Sequence, residues 1–155
     1  MTLLFPMPEE ISKYLAAEYG GETVRYALPL DISENNCFDD DGFFVVTERH
    51  LLFFRHGTAK RALRLEAYTD FSTEICAGGG LLRAKEKKSG APVRLAHFTM
   101  EQAPRYAIVA KKLDLASKNK PDTFLNEEPD RKCLKCGRVL PEGSSTCPHC
   151  TDRKE

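Results

Sequence analysis

The sequence predicts a mainly β protein: seven short antiparallel strands in a bent, two-sheet barrel, one C-terminal helix capping it, and a small module organised by cysteines behind. Three observations carry that prediction. Apolar and polar residues alternate in short runs between residues 23 and 98, with turn residues between the runs, the period and punctuation of antiparallel strands. The period then changes to that of an amphipathic helix. The last stretch has no apolar period but holds two Cys-x-x-Cys pairs.

A short helix comes first, from Pro8 to Tyr19. Pro8 suits its first turn, Ile11, Tyr14, Leu15 and Glu18 follow helical spacing, and Gly20-Gly21 stops it. From Thr23 to Leu30, Val24, Tyr26, Leu28 and Leu30 alternate with Thr23, Arg25, Ala27 and Pro29. Pro29 has no N–H for a ladder, so this strand belongs at an edge or ends there. A polar loop from Ser33 to Gly42 leads to a strand at Phe43–Thr47, and Glu48-Arg49-His50 turns into Leu51–Arg55. His56-Gly57 turns again into Lys60–Glu66, with Leu63 and Leu65 on one face.

Asp70–Cys76 alternates next, Gly78-Gly79-Gly80 breaks the pattern as a turn or bulge, and Leu81–Lys87 resumes it. Ser89-Gly90 then turns into Pro92–Phe98. Turns this short require antiparallel neighbours. Thr99 and Gln102 fit a capping box for the final helix, whose stripe is Ala103, Tyr106, Ala107, Ala110 and Leu113. Pro104 falls within or just past the first turn, which moves the expected start a residue or two later. The expected organisation is a helical segment at 1–21, the β domain at 22–116, a charged linker with Pro121 and Pro129 at 117–130, and a ribbon at 131–152.

Cys133, Cys136, Cys147 and Cys150 read as one tetrahedral zinc site. Two residues between paired thiolates let one backbone turn aim both sulfurs at a single ion, and a Cys₄ set without water is of the closed, structural kind. Gly137 after Cys136 suits the positive φ that turns backbone N–H groups toward sulfur; Thr151 after Cys150 suits it less. Ten residues separate the pairs, with Pro141 and Gly143 at a hairpin tip, a shorter loop than paired Cys-x-x-Cys sites usually carry. Iron in a rubredoxin-like site is the alternative metal. His149 inside the second pair could replace a thiolate, though an outward knuckle position is expected. The rival reading is a disulfide pair, which an oxidising compartment would favour, or a dithiol redox motif. Met1–Pro6 has no basic n-region and its apolar run ends at a proline, so cytoplasmic location and metal are expected. Cys37 and Cys76 are expected to be thiols, one on a loop and one packed.

The chain has 155 residues with 23 basic and 23 acidic side chains. That balance argues against general nucleic-acid or anionic-membrane binding. Around the cysteines, Arg131, Lys132, Lys135, Arg138, Arg153 and Lys154 face Glu142, Asp152, Glu155 and the negative charge of zinc held by four thiolates. No apolar run approaches the roughly 18 residues of a membrane helix.

The strand order followed by one helix resembles the pleckstrin-homology superfold, and Phe44–Phe54 resembles the strand-turn-strand signature of its bacterial members over about residues 22–116. The layout as a whole is similar to the cytosolic N-terminal extension of some bacterial ABC exporters: a Pro-Glu-Glu-Ile-Ser-Lys-Tyr-Leu start, the barrel, a charged linker, then the run Arg131–Gly143 and Cys147–Cys150. This resemblance implies a permease and an ATPase domain that lie outside this sequence, which has neither a Walker A motif nor a span. It implies, as partners, the membrane and nucleotide-binding domains of the same transporter. The expectation is therefore a non-catalytic interaction or regulatory module whose cofactor is Zn²⁺. The rival readings are a stand-alone zinc-ribbon adaptor for nucleic acid or protein, and a peripheral lipid-binding domain.

Other candidate sites have plainer readings. Asp39-Asp40-Asp41-Gly42 lacks the interval and terminal Glu of an EF-hand and reads as a hairpin turn. Gly78-Gly79-Gly80 is followed by no Gly-Lys-Ser/Thr. His50, His56 and His97 have no common spacing and fall on turns or the barrel surface. By resemblance, a phosphoinositide would be held by the first strand-strand loop, which here carries Glu34, Asp39, Asp40 and Asp41, the wrong sign for an anion. Arg49, Arg55, Lys60, Arg61 and Arg64, with Lys85, Lys87 and Lys88, read as a solvated sheet face, giving weak or no lipid binding. No nucleophile is patterned beside a His and a carboxylate, so no catalytic residue is expected.

Overall fold

The computed structural model describes residues 3–33 and 37–121. Among them run α1 (Glu9–Glu18), β1 (Val24–Pro29), β2 (Gly42–Thr47), β3 (His50–Arg55), β4 (Thr58–Arg64), a 3-10 turn at Leu65–Ala67, β5 (Tyr68–Cys76), β6 (Gly79–Glu86), β7 (Pro92–Phe98) and α2 (Ala103–Ser117). The seven expected strands and both helices are therefore present. β4 begins earlier than expected because His56 and Gly57 both take positive φ, at 50° and 73°. That is the pairing of a two-residue hairpin turn, which lets the ladder start at Thr58.

The strands form two antiparallel sheets, ordered β1-β2-β3-β4 and β5-β6-β7. No ladder joins them among the described residues, so the expected barrel is not closed. The 3-10 turn at Leu65–Ala67 interrupts pairing between β4 and β5. The outer edge of β1 is met instead by the chain start, where Phe5 donates to Ala27 O and Ala27 to Leu3 O, each at 2.9 Å. Pro29 is the last residue of this edge strand, where its missing N–H costs nothing.

Two apolar layers follow from the runs in β2 and β3. Leu51 and Phe53 face the second sheet and α2, while Leu52 and Phe54 face α1. α1 buries Ile11 and Leu15 on that outer face, and Tyr14 meets Phe54 edge-on at 5.6 Å. Phe43–Val46 and Leu51–Phe54 are continuous apolar runs because this sheet is covered on both faces.

α2 packs mainly along β5 and reaches β6 and β1. Tyr106, Val109, Ala110 and Leu113 are its buried residues; Ala107, expected on the stripe, is half-buried and Val109 takes its place. The Tyr106 ring stacks on Phe98 at 4.2 Å, and its hydroxyl donates to Pro29 O at 2.8 Å. The expected capping box is not made. Thr99 gives its N–H and hydroxyl to the Asp31 carboxylate at 2.9 and 2.5 Å, and the helix begins after Gln102 with no side-chain cap.

Candidate functional site

Partly buried carboxylates among the described residues hold turns together. Glu22, just before β1, takes the His50 ring at 2.9 Å, the Thr47 hydroxyl at 2.9 Å and the Arg49 N–H at 3.0 Å. It thereby caps the two-residue link between β2 and β3. Burial pushes the Glu22 carboxyl up, but the hydrogen bonds from His50 and Thr47 outweigh it and hold the group below the usual carboxylate range. Asp31 does the equivalent for the approach to α2. At the other end of that helix the hydrogen bond from Lys118, 2.9 Å from Asp70, lowers the Asp70 carboxyl and raises the Lys118 ammonium.

The three predicted histidines are separated. His50 is half-buried against Glu22; His56, in the β3–β4 turn, meets Asp41 at 2.8 Å. His97 on β7 lies 3.7 Å from the Cys76 sulfur on β5, a diagonal contact across β6, where Gly79 offers no side chain. Cys37 is exposed on its loop and Cys76 is half-buried, neither in a disulfide. Asp39 accepts the Asp41 N–H at 2.9 Å and lies 3.9 Å from Arg55, so this run is spent on the turn and its neighbouring cations. The glycine run proves to be a turn at Gly78 and a close approach at Gly80, where a Cβ would stand 2.5 Å from the Phe98 ring.

The expected basic face is not one face. Arg55 points inward, with 12% of its side chain exposed, and donates to Leu30 O and Ile32 O. Arg61 is half-buried over the Phe53 ring, 5.5 Å from its centre. Strand alternation, broken only at the bulge beside Lys60, sends neighbours on β3 and β4 to opposite sides, so a run in sequence is divided in space. Two concavities result. One of about 640 Å³ lies between the β2–β3 link and the end of α2, with Arg25, Arg49, Arg64 and Lys87 offset by Glu48 and Glu66. The other, about 230 Å³, lies between β4 and β7 and presents Arg55, Lys60, Arg61, Arg94 and His97.

Arg94 escaped the sequence reading because an arginine on an alternating strand is ordinarily solvated. Arg61 was legible: it shares the parity of Leu63 and Leu65, the inward face. Cys133, Cys136, Cys147 and Cys150, the expected metal ligands, lie outside the described residues, as do Glu34 and His149. No helix among the described residues is long and apolar enough to cross a membrane. No family model, curated protein or solved structure matches the chain.

Proposed function

We propose that this chain is a non-catalytic cytoplasmic interaction module, a pleckstrin-homology-like domain linked to a structural Cys₄ zinc ribbon at 131–152. The observation that carries the reading is the use made of the polar groups. Glu22, Asp31, Asp39 and Asp70 each hold a turn, a helix end or a cation, work that belongs to a scaffold. Seven antiparallel strands in two sheets followed by one helix is the element order of the superfold, which supports the finer fold assignment.

Four thiolates in two Cys-x-x-Cys pairs fit zinc by donor chemistry. The ion would supply cross-linking and no reaction step. A ribbon this short buries too little to fold unaided, so metal binding, on the order of 10–16 kcal/mol, would provide its stability. The layout supports placement as the N-terminal part of a bacterial ABC exporter, whose permease and ATPase lie outside this chain. The partners would then be the membrane and nucleotide-binding domains of that transporter. Nucleic acid would bind weakly or not at all, and a lipid surface at most weakly, since the basic residues do not form one face.

Chelation tests the two-part picture. Removing zinc from the full chain should collapse the amide NMR signals of residues 131–152 and leave those of 3–121 in place. Elemental analysis should find one zinc per chain. Absence of both zinc and iron, with all four thiols open to alkylation, would remove the ribbon. Membrane spans followed by a Walker A motif in the coding sequence beyond residue 155 would support the exporter placement, and a stop codon there would favour the stand-alone adaptor.

A further inference from the structure

The cleft between β4 and β7 has an apolar floor and basic walls. Leu30, Phe53 and Leu95, at the margin of the core, form the floor, and Lys60, Arg61, Arg94 and His97 rise around it. No carboxylate lines it among the described residues. Several cations elsewhere in the domain are answered, Arg83 by Glu74, Arg64 by Glu66 at 3.5 Å and Lys118 by Asp70 at 2.9 Å. Arg55, at the back of the cleft, has two carbonyls and Asp39. Lys60, Arg61 and Arg94 have no carboxylate partner among the described residues.

Two features of this arrangement gather positive charge at the cleft. Arg61 holds an inward position opposite Phe53, where its guanidinium meets only that ring and Arg94 O, the latter at 3.1 Å. Arg94 stands directly opposite Arg83 on β6; Glu74 answers Arg83, which leaves Arg94 as the unmatched charge of that row. Positive charge gathered over an apolar floor, with no carboxylate in the lining among the described residues, marks a place suited to an anion.

We propose that this cleft binds a phosphate-class dianion, a phosphomonoester or pyrophosphate group carried by a small molecule or a lipid headgroup. Two guanidinium forks match the oxygens of a tetrahedral oxyanion, and Lys60 adds a point charge beside them. The apolar floor lowers the dielectric on one side of those contacts and strengthens them. The volume, about 230 Å³, falls below the roughly 300–1,000 Å³ of drug-sized sites, which suits one such group with a small attached moiety. This inference stands apart from the zinc ribbon and the exporter placement.

The test is an NMR titration of the full chain with inorganic phosphate and pyrophosphate, and separately with phosphatidylcholine vesicles with and without phosphatidic acid. Amide shifts should concentrate in residues 58–64 and 92–98 and weaken with salt. Arg61→Gln and Arg94→Gln should each lower affinity about tenfold or more, while Lys88→Gln, off the cleft, should not. Arg94→Gln should leave the melting temperature unchanged, whereas a purely structural Arg94 would lower it. A response to the soluble anions alone, or to the phosphatidic acid vesicles alone, supports the site and names its source. No response to either, shifts centred elsewhere, or wild-type binding by both arginine variants would overturn it.

Discussion

Glu22 links titration to stability at a single position. Its carboxyl, 12% exposed, is held low in the folded state by His50 and Thr47 against the opposing pull of burial. A folded value below the unfolded one gives stability that is present above the unfolded carboxyl range, near pH 4.3, and is lost as pH falls through the folded value. Glu22→Gln should therefore cost about 1–3 kcal/mol at neutral pH. The gap between variant and wild-type melting temperatures should close as the medium is acidified below about pH 4; a gap independent of pH would mean that shape, not charge, matters there. Tyr106 shows the other sign. Burial lifts its phenol well above the ordinary value, which keeps the proton on the hydroxyl that donates to Pro29 O.

At the level of secondary structure, the start of α2 shows local chemistry overridden by a distant partner. Thr99 and Gln102 carry the spacing of a capping box, yet Thr99 is drawn to Asp31, 68 positions away in sequence. Asp31 is 7% exposed, and a buried carboxylate takes available donors before a solvated helix end does. Thr99→Val should cost about 1–3 kcal/mol in thermal or urea unfolding, with helix content by circular dichroism unchanged below the transition. A loss of helix content without loss of stability would restore the capping role. Gly80 makes the same point about β6: its missing side chain is the space in which the Phe98 ring lies, so the glycine run is packing as well as turn.

For the domain, the telling fact is that the first sheet is covered twice. α1 supplies Ile11, 1% exposed, and Leu15, 6% exposed, to a layer with Ala27, Val45, Leu52 and Phe54. Ile11→Ala should destabilise the whole β domain by about 2–5 kcal/mol, read as one cooperative transition. If α1 melted separately, with the sheets unaffected, it would be an accessory rather than part of the core. The sequence reading set residues 1–21 apart because an amphipathic helix followed by two glycines looks self-contained. The cue that it docks was in the partner: strands at Phe43–Val46 and Leu51–Phe54 with no polar face to spare.

Strand number, turn positions, the edge placement of Pro29, both helices and the paired cysteines could all be read along the chain, because period, turn chemistry and ligand spacing act over a few residues. Which groups meet could not. Glu22 with Arg49, Pro29 with Tyr106, Asp31 with Thr99, and Arg61 with Arg94 join positions 27, 77, 68 and 33 apart. Their pairing depends on how two sheets and two helices stack. Stacking also turned one basic run into two half-buried arginines, Arg55 and Arg61, and two separate clefts, since the sides to which a strand sends its residues are local but what lies on each side is not.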